Sequence, residues 1–145
     1  MNMDQRLAEY INTEKIAVIS VPIDNDGNLH AAAIHYAYDP EAQAFYFVTQ
    51  RDSQKCSLLR SGQTVKAACV IGLVVGCPFT LQMRGQMKVT EPSDEIKAAI
   101  TAKRGGKTKD DLNDPSNVVL EFKPNWARYT DYSIGFDAHT FLDLS

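Results

Sequence analysis

The chain has 145 residues, of which 44% are hydrophobic and 23% are charged. This composition is typical of a globular protein and excludes a disordered polar chain. Lys and Arg number 15 against 18 Asp and Glu, which gives a net charge of −3. That balance argues against a dedicated nucleic-acid-binding protein, because such proteins neutralise phosphates with surplus positive charge. A length of 145 residues with this composition predicts a single domain that spans residues 1–145.

The cysteines and the apolar stretches indicate the compartment. Cys56, Cys69 and Cys77 cannot all pair within one chain, and none of them lies in a Cys-x-x-Cys motif. This pattern predicts reduced thiols in a reducing compartment. No basic leader followed by an apolar core begins the sequence, and the apolar stretch 65–75 is too short to span a bilayer. We expect a cytoplasmic protein with no membrane contact.

Hydrophobic periodicity and turn residues predict a series of hairpins with short helices between them. The first connection, residues 24–28, reads Asp-Asn-Asp-Gly-Asn and is a strong turn signal. The polar stretch 104–113 is expected to be a loop. Predicted helices cover residues 4–14, 52–60 and 94–103. Predicted strands cover residues 15–23, 29–38, 44–49, 65–75, 79–90 and 118–123, with a further strand expected near 136–142.

The order of these elements indicates the fold class. Strands follow one another without βαβ alternation, and no Gly-x-Gly-x-x-Gly motif is present, which disfavours a Rossmann fold. The strand at 65–75 is almost continuously apolar, so we expect it to be buried on both faces. We predict a mainly β (α+β) protein, an antiparallel barrel of about six strands with peripheral helices.

Hydroxyl and cationic side chains gather where the strand at 44–49 ends. Thr49 and Ser53 supply hydroxyls, and Arg51 and Lys55 supply positive charge. A helix N-terminus would add unpaired N–H groups, so the segment makes a cradle for a phosphate monoester. The alternative is that Ser53 only caps the helix and that the cations are solvated. From this segment alone, that alternative is favoured.

Residues 30–35 read His-Ala-Ala-Ala-Ile-His. Small residues on a strand leave a shallow surface against which a planar ring can lie, or they allow a helix to pack closely; the sequence leaves both open. His30 and His35 are five positions apart and face opposite sides of a regular strand, so no shared metal site is expected.

Two further groups of polar and aromatic residues stand out. Thr80, Gln82 and Arg84 share one strand face, where an amide beside an arginine could contact the polar edge of a cofactor; a solvated sheet face is the favoured alternative. Trp126 and Arg128 belong to an aromatic and basic cluster near the C-terminus, for which we expect core or interface packing. No Ser-His-Asp or Cys-His arrangement is legible, so the catalytic residues are unknown.

The order of segments resembles the pyridoxamine 5′-phosphate oxidase-like FMN-binding split-barrel superfamily. The resemblance covers about residues 17–90 and rests on DNDGNLHAAAIHYAYD, FYFVTQRDSQKCSLL and LQMRGQMKV. It implies a six-stranded antiparallel split β-barrel that forms a homodimer, with FMN in two symmetric clefts at the interface. It also makes the phosphate cradle the favoured interpretation of the segment that follows residue 49.

The resemblance assigns cofactor-binding residues to three places: the strand at 29–38, the end of the strand at 44–49 with the turn after it, and the strand at 79–90. These residues are His30, Ala31, Ala32, Ala33, Ile34, His35, Val48, Thr49, Arg51, Ser53, Gln54, Lys55, Thr80 and Gln82.

Several of these positions depart from the family pattern. Ser53, Gln54 and Lys55 fall on the family's Ser-Arg-Lys phosphate grip, so Gln54 replaces an arginine whose charge Arg51 would supply. His30 stands where the family has an arginine that opens the flavin strand, and His35 stands where it has a lysine. Thr80 or Gln82 would reach the flavin from the partner subunit.

The C-terminal segment WARYTDYSIGFDAHTFLDLS lacks the Arg-x-His with which true pyridoxamine phosphate oxidases hold their substrate. It is similar to the small general-stress members of the superfamily. The resemblance therefore implies a flavin-dependent oxidoreductase that is not a vitamin oxidase. The main alternative is a non-catalytic sensor module that holds FMN, heme or a deazaflavin. An oligonucleotide-binding barrel is a third possibility, which the net charge disfavours.

Overall fold

The computed structural model describes residues 5–72, 78–103 and 112–144, which form one antiparallel sheet with one α-helix packed on each of its two sides. The predicted fold class is confirmed, with eight strands rather than six. The helices are α1 (Gln5–Thr13) and α2 (Asp94–Lys103). The strands are β1 (Ile16–Pro22), β2 (Leu29–His35), β3 (Ala37–Asp39), β4 (Ala44–Gln50), β5 (Val65–Ile71), β6 (Phe79–Thr90), β7 (Asn117–Asp131) and β8 (His139–Phe141).

The strand order across the sheet is β2-β1-β5-β6-β7-β4-β3. The long strand β7 pairs with β6 along most of its length. Along its other edge, the first half of β7 pairs with β4 and its last residues pair with β8. The sheet therefore branches at β7, and β8 extends the part of the sheet that contains β1, β5 and β6.

The inner side of the sheet and helix α1 enclose the main core. Leu7 and Ile11 of α1 are fully buried against it. Alternate residues of each strand point inward, as in the buried Ala17, Ile19 and Val21 of β1. The largest fully buried side chains are Tyr36, Phe45, Phe47, Phe122, Leu7, Ile11, Ile19, Leu59, Ile71, Leu81, Met83 and Met87.

Helix α2 covers only one half of the other side of the sheet. Ile100 of α2 packs with Ala44 and Tyr46 of β4 and with Val119 of β7 in a second, smaller core. This second core lies over β3, β4 and the first half of β7. The corresponding side of β2, β1, β5, β6 and the last part of β7 has no such cover in the described residues.

The first hairpin is confirmed. Asp24 Oδ1 accepts hydrogen bonds from the backbone N–H groups of Asp26 at 2.9 Å and Asn28 at 3.1 Å, and Asn28 Nδ2 donates to its other carboxylate oxygen at 2.6 Å. Gly27 has a φ of 84°, which glycine adopts without steric cost. The Asp-Asn-Asp-Gly-Asn turn therefore fixes the register of β1 with β2, in which Val18 lies opposite Ala33.

The expectation that β5 is buried on both faces is wrong for the single chain. Cys69 and its inward-facing neighbours are buried, whereas Lys66 and Ala68 on the opposite face are exposed. The reason is that α2 lies over the far half of the sheet and leaves this face open. Residues 73–75 of the predicted strand, Cys77 two residues after it, and residues 104–111 of the predicted loop lie outside the described residues.

The predicted helix at 52–60 is wrong as well. The structure has two 3-10 turns instead, at Gln54–Cys56 and Leu59–Ser61. Ser53 is extended, with φ −67° and ψ 156°. Its hydroxyl donates back to the carbonyl oxygen of Gln50 at 2.8 Å. Buried Cys56 and Leu59 are three positions apart, which suits a helix of three residues per turn.

Two observations concern membranes and metals. Neither helix in the described ranges is long and apolar enough to cross a membrane. Across the same residues, no cluster of three His, Cys, Asp or Glu side chains is arranged to hold a metal ion.

Candidate functional site

The side of β2, β1, β5, β6 and the last part of β7 that faces away from the core is called the outer face below. Strand register arranges its side chains in rows that cross the sheet. One row contains Ala33, Val18, Val70, Gln82 and Arg128. The next contains Ala31, Ser20, Ala68, Arg84 and Trp126.

These rows divide the outer face into two chemically different halves. The part on β2, β1 and β5, with Ala31, Ala33, Ser20, Ala68 and their neighbours, is called the small-residue half. The part on β6, β7 and β8, which carries arginine, glutamine and aromatic side chains, is called the cationic half. A shallow groove of about 260 Å³ lies where the two halves meet.

Trp126 is the centre of the cationic half. The Cζ atom of Arg84 lies 4.0 Å from the centroid of the indole ring, and that of Arg128 lies 5.7 Å from it. The ring of Phe141, which is 62% exposed, packs edge-on against the indole at 5.9 Å. Cation–π contacts of this kind contribute about 0.5–1 kcal/mol at exposed sites. Both guanidinium groups are therefore held against the sheet at the edge of the groove.

Gln82 and Arg128 form the most directional contact of the outer face. The Nε of Arg128 donates to Oε1 of Gln82 at 3.0 Å, and its Nη2 donates to the same oxygen. The two residues lie opposite each other on β6 and β7. A guanidinium whose donors converge on one oxygen holds that amide in a fixed orientation.

Strand β2 carries the predicted ring surface at the edge of the sheet. His30, Ala32 and Ile34 are half-buried on its inner side, and Ile34 packs against the main core. Ala31, Ala33 and His35 are exposed on the outer face. The expected placement of His30 and His35 on opposite sides is confirmed. Only the outward-facing residues of this segment belong to the small-residue half.

The predicted phosphate cradle lies beside β2. The first 3-10 turn, which contains Lys55 and follows Ser53, packs against that strand, and its Cys56 is buried in the main core. Lys55 is half-buried and, in the described ranges, has no hydrogen-bond or ion-pair partner. A turn of three residues has no helix dipole of useful size. Any phosphate binding here therefore rests on the side chains rather than on a helix N-terminus.

Arg51 takes a different direction from the rest of the cradle. Its backbone N–H donates to the carbonyl oxygen of Ser116 at 2.8 Å, and its guanidinium reaches the carbonyl oxygen of Pro115 at 3.5 Å. Together with Val48 and Lys97 it lines a separate cavity of about 260 Å³ between β4, α2 and the turn before β7. Ser53, Gln54 and Lys55 do not line that cavity, so Arg51 is turned away from the grip that the resemblance assigns to it.

Within one chain, the two groups of predicted site residues stay apart. Gln82 and Thr80 lie on β6, three strands away from β2. Strands are spaced by about 4.8 Å, so the groups are separated by roughly 14 Å across the sheet. The structure thus brings together β2 and the first 3-10 turn but does not bring β6 to them.

Solved structures of other proteins share this architecture. A Clostridium acetobutylicum protein related to general stress protein 26, of the pyridoxine phosphate oxidase family, superposes with a TM-score of 0.68 at 13% identity, over 96% of this chain and 92% of that one. The heme storage protein HutZ of Vibrio cholerae superposes with a TM-score of 0.64 at 12% identity, over 86% and 92%. The chain has the split-barrel fold of the pyridoxamine phosphate oxidase-like proteins. A heme-binding protein of Mycobacterium smegmatis shares the fold at a TM-score of 0.66 and 14% identity, where this chain covers 59% of that one.

No protein-family model and no curated protein sequence matches the chain. The resemblance drawn from the order of segments is confirmed at the level of the fold, by the solved structures that superpose on this chain.

The structure adds two residues to the candidate site, Trp126 and Arg128, for which the sequence predicted core or interface packing. Trp126 and Arg128 lie beside Gln82 and Arg84 because β7 continues through Pro124 to Asp131, beyond the predicted end at residue 123. Their spacing of two positions was the available signal, since it places both side chains on one face of a strand.

The thiol of Cys69, on β5, does not suit nucleophilic catalysis. Burial raises the pKa of the Cys69 thiol to about 12, because the side chain is enclosed on the inner side of β5. A thiol of this kind stays protonated at neutral pH and is a poor nucleophile. The groove therefore offers cations, amides and a flat surface rather than an activated cysteine.

Proposed function

We propose that the protein binds FMN on its outer face as a homodimer and is a flavin-dependent oxidoreductase that is not a pyridoxamine phosphate oxidase. One observation carries this proposal: the uncovered outer face combines a flat half of small residues with a half that holds Gln82, Arg84 and Arg128 around Trp126. Soluble proteins rarely leave a face of this kind without a ligand or partner.

The residues present fit a flavin mononucleotide. Ala31, Ala33 and Ala68 offer a surface without long side chains, on which a planar ring can lie close to the strands. Lys55, on the turn that packs against β2, can hold a phosphate with its ammonium group, and Ser53 can join it once its hydroxyl turns from the Gln50 carbonyl oxygen to the phosphate. FMN, when bound, supplies hydride or electron transfer, while the chain binds it, orients it and shields it from water.

A second copy of the chain would complete this site. Strand β2, with the cradle beside it, lies roughly 14 Å from the cationic half across the sheet, at about 4.8 Å per strand. A twofold axis places the cationic half of one copy over the small-residue half of the other, and it does so twice. Each ring would then be held between two subunits, as the segment resemblance implies for Thr80 or Gln82.

Heme binding is the second candidate, and His139 favours it. The Nδ1 atom of this exposed imidazole lies 2.6 Å from Oγ1 of Thr130, which is 1% exposed. A hydrogen bond at Nδ1 fixes the ring and leaves Nε2 available to a metal. Arg84 and Arg128 would pair with the carboxylates of a heme on the same face. HutZ, which shares the fold, is a heme storage protein.

Titration of the full-length protein with FMN and, separately, with hemin tests the choice between these ligands. We expect the absorbance of FMN to change when it binds. At a hundred times its dissociation constant, FMN should raise the free energy of unfolding of the protein by about 2.7 kcal/mol. Lys55→Ala should weaken FMN binding by about 10- to 100-fold, since it removes a charged hydrogen-bond donor. Arg60→Ala is the matched control, because Arg60 is an exposed cation of the same loop outside the cradle.

Three results would count against the proposal. If saturating FMN leaves the melting temperature unchanged while hemin raises it, the heme candidate replaces the flavin. If Lys55→Ala and Arg60→Ala weaken FMN binding equally, the cradle is misplaced. If sedimentation velocity at micromolar concentration with FMN present shows only monomer, the two-subunit site is wrong.

A further inference from the structure

We propose that Arg128 is a positioning residue that locks the amide of Gln82, so that the cationic half presents hydrogen-bond donors and selects a planar ring whose edge carries acceptors. This inference rests on the proposed function and adds to it the chemistry of the ring edge that the site accepts.

The orientation of Gln82 follows from the chemistry of its partner. A guanidinium group carries only donors, so the amide atom that two of its nitrogens approach has to be the oxygen. The Nε2 group of Gln82 therefore points elsewhere, and no acceptor among the described residues bonds to it. Because Gln82 lines the groove, its two N–H donors are the part of the amide that a ligand can use.

The two arginines of the cationic half also present only hydrogen-bond donors. Arg84, stacked on Trp126, and Arg128 are both donors with a full positive charge. Among the described residues, no Asp or Glu lines the groove. Without Arg128, the Gln82 amide could rotate and present its oxygen, which would place an acceptor in an otherwise donating site.

A site that presents donors suits a ring edge that carries carbonyl oxygens and unprotonated nitrogens, such as the pyrimidine-dione edge of a flavin. Donors that face such an edge also stabilise negative charge on it, and reduction adds negative charge to the ring. The lock on Gln82 should therefore affect both affinity and reduction potential. The apolar edge of a porphyrin has no such acceptors, so heme affinity should depend on the charge of Arg128 and not on the Gln82 amide.

The experiment compares Arg128→Met and Gln82→Glu with the unmodified protein and with Lys123→Met. Lys123 is an exposed cation of the same strand and does not line the groove. We expect Arg128→Met to weaken FMN binding about tenfold, as loss of a charged hydrogen bond does. It should also shift the flavin absorbance maximum and make the midpoint potential more negative. Gln82→Glu keeps the partner for Arg128 but removes the donors, so it should move all three quantities in the same direction. Lys123→Met should change none of them.

The outcomes separate this inference from the proposed function. If the unmodified protein binds no flavin, the proposed function fails and the inference fails with it. If it binds FMN, and both Arg128→Met and Gln82→Glu leave the spectrum and the potential unchanged, the inference alone is overturned. Should Arg128→Met fold poorly, as circular dichroism would show, Gln82→Glu decides by itself, because it leaves Arg128 with an acceptor at position 82.

Discussion

Gly85→Ala is expected to destabilise the split barrel strongly, because the backbone of β7 occupies the space that a side chain at this position of β6 would need. A Cβ atom at position 85 would lie 2.1 Å from the carbonyl oxygen of Lys123 and 2.7 Å from the Cα of Pro124. Both neighbours are backbone atoms of β7, so no side-chain rotation relieves the clash. Gly85 also adjoins the point where the register of β6 with β7 shifts, between Arg84 and Gly85.

The magnitude follows from that geometry. Ordinary contact begins near 3.4 Å, so the strands must separate locally by more than an ångström. Overpacking of this kind costs about 1–3 kcal/mol, and strained ladder hydrogen bonds of about 1 kcal/mol each place the loss at the upper end of that range. We expect a loss of about 3 kcal/mol, which lowers the melting temperature of a chain of this size by about 6–12 °C.

Urea unfolding followed by circular dichroism measures the effect, with Gly135→Ala as the control. An added Cβ at Gly135 meets nothing within 4 Å, so that substitution should change stability by less than about 0.5 kcal/mol. Because the register shift sets the position of Arg84 against Trp126, Gly85→Ala should also weaken ligand binding at the outer face. Equal stabilities for the two alanine variants would refute the close approach of β6 and β7.

Three further predictions concern stability. Burial raises the pKa of Tyr36 above its usual range and the pKa values of Tyr38 and Tyr46 to about 12. Since the folded state holds these protons more tightly, stability should be complete below about pH 10 and fall as the pH rises above it, which urea midpoints from pH 8 to 11 will show. Lys103→Met should cost about 1–2 kcal/mol in urea unfolding. Its ammonium group donates to the carbonyl oxygens of Ile11 at 3.0 Å and Asn12 at 2.6 Å, at the end of α1. Phe122→Ala, at a fully buried position, should cost about 3–5 kcal/mol by the same assay, and a smaller loss would mean that the core at β7 can collapse around the cavity.

Local signals predicted the hairpins well, because the residues that form each turn also specify it. The carboxylate of Asp24 makes the bonds that its sequence context predicts, and Gly27 takes the positive φ that the turn needs. The secondary structure of the segment after β4 was harder to predict. Its buried positions, Cys56 and Leu59, do not distinguish an α-helix from 3-10 turns. Backbone bonds between residues three positions apart, such as that from the Cys56 N–H to the Ser53 carbonyl oxygen, show that the turns are 3-10.

The end of β7 shows how one residue can mislead. The strand predicted at 118–123 stops just before Pro124, which has no N–H and normally ends a strand. In the structure Pro124 lies opposite Gly85, where the ladder is already irregular and a missing donor costs little. The strand then continues to Asp131. That continuation places Trp126 and Arg128 on the outer face.

The contact between Gln82 and Arg128 joins residues that are 46 positions apart, and no local pattern predicts it. It depends on the register of β6 with β7, and that register depends on the irregular step beside Gly85. A regular ladder through Gly85 would place Asn125, instead of Trp126, opposite Arg84, and would put inward-facing and outward-facing residues of β7 on the wrong sides. The glycine that lets β7 shift is therefore also what aligns the arginine with the amide. For this reason a substitution at Gly85 should alter ligand binding at a groove that Gly85 itself does not line.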